Sequence, residues 1–157
     1  MNTCWIGGFF DRKEVSSEVE TEEDEEILAI TPVGEAKDSL TITERLAKLA
    51  SGSKKRKSLS ELCDEDFSDK AKRWAKRSVK LARLAPSAMN RQPWRFEFEG
   101  KKLKLTSAIQ KKKQSVSPYL DCGIALLHLL VGASCEGIEV VLEYGEPPEV
   151  ATIRSKG

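Results

Sequence analysis

Ala85-Pro86-Ser87-Ala88-Met89-Asn90-Arg91-Gln92-Pro93-Trp94 is the stretch on which the reading of this chain turns. Ala71, Trp74, Ala75, Ala82 and Ala85 lead into it at helical spacing, with lysines and arginines between them, and Pro86 stops that helix. On the far side Trp94, Phe96 and Phe98 alternate with Arg95, Glu97 and Glu99, the period of a strand with one apolar face. Two prolines therefore fix the ends of a short helix-to-strand loop. Ser87, Asn90 and Gln92 place hydrogen-bonding side chains in it, and small Ala88 leaves room. By residue chemistry this is equally a ligand cradle or a turn closed by an Asx-type hydrogen bond.

Outward from the loop, Ser68 and Asp69 offer the N-cap of the helix that runs to Ala85. Gly100 turns the strand back into Leu103 and Leu105, making a hairpin. A helix is expected over 118–137, its body Tyr119 to Glu136, apolar on nearly all sides and so central and buried. Gly137 ends it, and Ile138 to Tyr144 reads as a last strand before Pro147-Pro148 and a frayed tail. Toward the N-terminus, Asp11 caps a short helix over 12–19, and EVETEEDEE at 18–26 forms its exit loop. Ile27-Leu28-Ala29-Ile30 reads as a buried strand closed by Pro32 and Gly34. Thr43 starts a helix carrying Leu46, Leu49 and Ala50, stopped by Ser51-Gly52-Ser53. The order predicts an α+β domain with a mixed or antiparallel sheet packed by helices, and no internal repeat is visible.

At 157 residues the chain suits a single domain over 1–157, and 39% hydrophobic residues fill an ordinary core. Its 26 Lys+Arg against 25 Asp+Glu leave a net charge of +1, which excludes a strongly basic nucleic-acid-binding domain and an acidic tail as readings of the whole. No uninterrupted apolar run reaches the ~18 residues of a membrane span, and the start has no basic segment followed by an apolar one. The expectation is a cytoplasmic protein that engages no membrane. Cys4, Cys63, Cys122 and Cys135 stand singly, and His128 is the one histidine, so no zinc-type ligand set exists and no metal is expected. His128 lies within an apolar helix and reads as a core residue. With no GxSxG, Walker or GxGxxG pattern, no catalytic side chain is assigned.

Two further segments are unusual. In Thr3-Cys4-Trp5-Ile6-Gly7-Gly8-Phe9 a glycine pair after a tryptophan lets backbone N–H groups approach a flat ligand, though Gly-Gly also simply makes turns. Ser53-Lys54-Lys55-Arg56-Lys57-Ser58 can hold a phosphate, Arg by a fork and Lys as a point charge. Nucleic-acid binding through Lys54 to Lys57 and Lys111 to Lys113 lacks interleaved aromatics and is not expected.

In this order, TCWIGGF, ITPVG, KKRKSLSEL, LAPSAMNRQPWRF and DCGIALLHL resemble the FMN-dependent nitroreductase family over about residues 2 to 136. The likeness is to its compact Thermotoga-type branch, in which two related halves share one chain. The resemblance implies FMN as cofactor, with Pro86, Ser87 and Asn90 contacting it and Gln92 supporting their loop. Trp5, Ile6, Gly7 and Gly8 would lie along the isoalloxazine, and Lys54 and Arg56 would help hold the phosphate. It implies hydride passing from NAD(P)H through the flavin to a nitroaromatic, quinone or similar acceptor, in a site completed by a homodimer or a separate N-terminal half. The Arg-rich phosphate-binding opening and the first APS-type half of that branch are absent from the sequence, so the chain resembles the C-terminal portion of a longer nitroreductase. The alternative is a non-catalytic remnant, an interaction module that no longer binds FMN.

Overall fold

The computed structural model describes residues 2–3, 6–8, 10–22, 24–35, 42, 52, 54–109 and 116–156. The chain divides into two compact units, one of residues 1–50 and 113–116, the other of residues 51–112 and 117–157.

In the first unit, strand β1 (Asn2–Thr3) pairs antiparallel with β2 (Val33–Gly34). Beyond that ladder Ile6 and Ile30 exchange both backbone bonds, at 3.0 and 2.9 Å. Helix α1 (Arg12–Glu18) is capped by Asp11 as expected, its carboxylate accepting from Lys13 N at 2.9 Å and Glu14 N at 3.3 Å. The predicted buried strand at 27–30 is not formed. Ile30 alone is bridged, and Leu28 is exposed. An apolar run becomes a strand only where a neighbour supplies ladder partners. Among the described residues only Ile6 does so here. The helix expected from Thr43 lies outside the described residues.

The second unit holds helices α2 (Leu59–Leu62), α3 (Phe67–Lys70) and α4 (Arg73–Ala82), a single 3-10 turn at Ala88–Asn90, strands β3 (Trp94–Glu99) and β4 (Lys102–Ser107), helix α5 (Pro118–Cys135), and strands β5 (Val140–Tyr144) and β6 (Glu149–Ser155). Its sheet runs β3-β4-β6-β5, antiparallel throughout. The hairpin forms as expected. Gly100, at φ +60°, occupies the loop position where a side chain would be strained. Trp94, Phe96, Phe98, Leu103, Leu105, Ala151 and Ile153 point to one face of the sheet and join Trp74, Val79, Ala125 and Leu129 in one core. The fold is α+β, as expected.

Three features differ from the sequence reading. Helices α3 and α4 are not one helix. Ala71 is extended (φ −71°, ψ 134°), Lys72 takes the cap position without a side-chain bond, and Ser68 and Asp69 lie inside α3. Phe67, Ala71, Trp74 and Ala75 are all buried, so the inward pattern crosses the break and hides it. The expected frayed tail is β6, which lies between β4 and β5. Its Ala151, Ile153 and Ser155 are buried, with Leu103 opposite Ile153 and Leu105 opposite Ala151. Helix α5 is buried on one side only: Cys122, Ala125, Leu126, Leu129 and Ala133 face the core, while Leu127 and Val131 are 60% and 47% exposed.

Helix α5 has the length and mean hydropathy (1.4 over 18 residues) of a membrane span. Its packing is that of a core helix. His128 Nδ1 lies 3.1 Å from Leu81 O, and Gly132 allows the two helices to meet backbone to backbone, since a Cβ there would stand 2.9 Å from Ser78 N.

Candidate functional site

Loop 85–93 joins α4 to β3 in the second unit. Met89, Asn90 and Gln92 have φ of 50°, 54° and 48°. That left-handed region costs a side-chain-bearing residue roughly 1–2 kcal/mol, and such geometry persists only where surrounding bonds overdetermine it.

Those bonds come from three directions. Within the loop, Asn90 N donates to Ser87 O (3.0 Å), and Ser87 Oγ accepts from Gln92 N (2.9 Å). From α5, the buried Asp121 carboxylate accepts from Ala88 N (2.9 Å) and from Arg91 Nη2 (2.8 Å). From the basic segment, Gly52 O and Lys55 O accept from Asn90 Nδ2 at 2.8 and 3.0 Å, while Lys57 N donates to Gln92 Oε1 at 2.8 Å. Asn90 Oδ1 accepts from both Arg56 Nη1 (3.2 Å) and Gln92 Nε2 (3.1 Å), which fills the bonding capacity of that amide. Arg56 Nη2 donates to Leu84 O at 3.3 Å, and Arg83 Nε donates to Lys57 O at 2.6 Å.

The polar side chains of the loop therefore divide. Asn90, Gln92 and Arg56 are turned inward and lock the loop to segment 52–57. Pro86 and Met89 are exposed and Ser87 is half-buried. The Ser87 hydroxyl accepts one bond and donates to no described residue. Lys54 and Lys55 are exposed on the neighbouring segment. Trp94 is fully buried in the core.

Lys57 donates through Nζ to Gln92 O at 3.0 Å. Burial, and after it the Arg95 charge, pushes its pKa below the ordinary lysine value, with Glu61 pulling the other way. Burial also lifts the Cys63 and Cys122 thiols to about 12, so neither is a thiolate near neutrality.

Ile6, Gly7 and Gly8 belong to the first unit, where all three are half-buried. Gly7 has a packing reason of its own: a Cβ there would stand 3.0 Å from both Val116 methyl carbons. Trp5, Cys4 and Lys111 to Lys113 lie outside the described residues. Among the described residues no group of three or more His, Cys, Asp or Glu side chains is arranged to hold a metal.

The family described as "Putative TM nitroreductase" matches residues 1–133. The chain belongs to that nitroreductase family. A solved protein from Thermotoga maritima, described as a "putative nitroreductase", shares the fold with a TM-score of 0.57 and 19% identity. That likeness covers 99% of this chain and 56% of the solved one, so the chain spans little more than half of its length. No curated protein matches the chain.

In this nitroreductase fold Asn90, Gln92 and Arg56, singled out from the sequence, share the holding of the loop with Asp121 and Arg91, to which sequence reasoning gave no role. A signal existed for Asp121, because a lone carboxylate in the first turn of an otherwise apolar helix needs a buried partner. Another existed for α2. Ser58 and Glu61 have the S-x-x-E spacing of a capping box, and both of its reciprocal bonds are made.

Proposed function

We propose that this chain is an FMN-dependent oxidoreductase of nitroreductase type, passing hydride from NAD(P)H to nitroaromatic, quinone or similar acceptors, as a homodimer or together with a separate N-terminal half. One observation carries the reading. The APSAMNRQPW loop, where the resemblance to flavin loops is most specific, is held in a left-handed shape by bonds from α5 and from segment 52–57. Strain kept in place by so many bonds points to a loop shaped for a ligand.

The residues present fit a flat, phosphate-bearing cofactor, with a division of labour. Pro86 and Ser87 form the rim that would meet FMN, Ser87 with a hydroxyl proton to donate and Lys54 with an exposed charge for the phosphate. Asn90, Gln92 and Arg56 act one step behind, by fixing the rim. The resemblance adds Trp5, Ile6, Gly7 and Gly8 as separate proposed flavin contacts. When bound, the flavin supplies the hydride chemistry, and the protein supplies binding and orientation. No side chain is given an acid, base or nucleophile role, in keeping with two thiols lifted to about 12.

A second reading has an observation in its favour. The Asn90 amide is saturated within the protein and the Gln92 amide is bonded at both its oxygen and its nitrogen, so the loop is also what a folded remnant would retain without binding flavin. Visible absorption before and after adding FMN and desalting separates the two. The first reading expects retained flavin bands, by the chain alone or with an N-terminal half. It also expects Lys54→Ala to weaken FMN binding about tenfold or more, since one charge-assisted bond contributes roughly 1.5–3 kcal/mol. Protein that stays colourless in both settings overturns it and leaves the remnant.

A further inference from the structure

Helix α4 carries an outer face that conflicts with its own stability. Its sequence, RWAKRSVKLA, buries Trp74, Ala75, Ser78, Val79 and Ala82 and leaves Arg73, Arg77 and Lys80 exposed and Lys76 half-buried, with exposed Lys72 at the cap. The four line one groove of ≈ 310 Å³ with Glu136, the residue that caps α5. Arg73 pairs with Glu136 at 2.8 Å. Among the described residues, Lys72, Lys76, Arg77 and Lys80 have no ion-pair partner.

Solvated helix faces ordinarily mix signs at i,i+4, which favours the helix, whereas like signs oppose it. Here Lys72 and Lys76, Arg73 and Arg77, and Lys76 and Lys80 are all like-charged neighbours at that spacing. Lys72 and Arg73 also stand at the positive end of the helix dipole, and the first turn holds no acid to offset them. A local rule broken repeatedly without compensation inside its own helix marks a surface that something anionic completes.

The chain contains the complement. Residues 18–26 hold seven carboxylates in nine positions and no base. Glu18, Glu20, Glu22, Asp24 and Glu25 are exposed, and Glu26 is engaged by Arg12. Glu25 N donates to Glu22 O at 3.1 Å and Glu22 N to the Glu25 carboxylate at 3.0 Å, a turn that must open for Glu20 to Glu25 to reach the roughly 20 Å that would follow the roughly 15 Å axis of a ten-residue helix. The net charge of +1 over the whole chain means that acidic and basic blocks nearly cancel. A nucleic-acid partner fits less well, because no aromatic side chain lies on this outer face to stack on a base.

We propose that the cationic face of α4 docks the acidic 18–26 segment of a second copy of this chain. The contact is head-to-tail, so each copy has one face and one segment to offer. This is independent of the flavin reading, and its test does not involve flavin.

The experiment is sedimentation velocity on the purified full chain, from about 0.01 M salt, where charges act over roughly 30 Å, to about 1 M, where they act over roughly 3 Å. The wild type is expected to sediment as larger species at low salt than at high salt, where the head-to-tail contact is screened. Lys76→Glu/Arg77→Glu/Lys80→Glu and, separately, Glu20→Lys/Glu22→Lys/Asp24→Lys should each keep the wild type's high-salt sedimentation at every salt concentration, with circular dichroism unchanged. Mixing the two should restore the salt-sensitive association, because the unaltered face of one variant meets the unaltered segment of the other, and the two altered surfaces are complementary with their signs reversed. Two results overturn the proposal: sedimentation that does not change with salt, or growth at low salt that survives either variant. Binding of duplex DNA that is lost in the α4 variant while self-association persists would assign the face to nucleic acid instead.

Discussion

Asp121 is the residue whose replacement most directly tests how the loop is held. Its carboxylate is wholly buried and serves two partners, Ala88 N at 2.9 Å and Arg91 Nη2 at 2.8 Å. Asp121→Asn preserves shape and can still accept from Ala88 N, but it removes the charge and leaves an amide N–H facing the guanidinium. Breaking a buried pair from one side costs about 3–5 kcal/mol, because the remaining charge is left without its partner. The Arg91 side chain is 17% exposed and can draw in water, which places the expected loss near the lower end, about 3 kcal/mol. For a chain of this length each kcal/mol lowers Tm by about 2–4 °C, so a fall of about 6–12 °C is expected. Urea unfolding followed by circular dichroism gives the free energy. Arg91→Gln and the double variant complete a cycle, in which the double should lose clearly less than the sum of the singles. A loss under about 1 kcal/mol for Asp121→Asn, or full additivity with Arg91→Gln, would refute the view that this pair holds the loop.

Two further outcomes follow from other contacts. Gly132→Ala places a Cβ 2.9 Å from Ser78 N, closer still to Ser78 Cα, and 3.1 Å from Ser78 Cβ, so α4 and α5 must separate. A loss of about 1–3 kcal/mol or more is expected in urea unfolding. Because the clash is mainly with backbone, adding Ser78→Gly should restore little of it, and full restoration would count against the backbone contact. Glu61 is held below the ordinary glutamate pKa, first by the backbone and then by the side-chain bond to Ser58. A lowered folded-state pKa means stability that is present above the unfolded value and lost as pH falls through the folded one. Glu61→Gln should therefore be less stable than wild type near neutrality, with the gap closing below the glutamate range, and a gap unchanged down to pH ~3 would contradict the capping box.

Legibility differed between segments for identifiable reasons. Asp11 and α1, the hairpin around Gly100, and α5 to within one or two residues at its ends could be read directly, because capping, turn chemistry and periodicity are local signals. The break at Ala71 was invisible because Phe67, Ala71, Trp74 and Ala75 keep helical spacing across it. Strand β6 looked like a tail because its place depends on β4 and β5 on either side, which no local pattern announces. Conversely the apolar run 27–30 looked like a strand and is not one, for want of ladder partners.

The chemistry of loop 86–92 divides along the same line. Residue types and their order in the sequence already mark the nitroreductase family and the helix-to-strand position of the loop, since these rest on motifs and neighbouring positions. Which polar groups face outward was settled by folding. Asn90 and Arg56 bind each other across 34 positions, Lys57 reaches Gln92 across 35, and Asp121 reaches Ala88 across 33. The Asn90 amide is fully occupied by such bonds. A side chain that reads as a contact can therefore become a brace only once distant segments have come together.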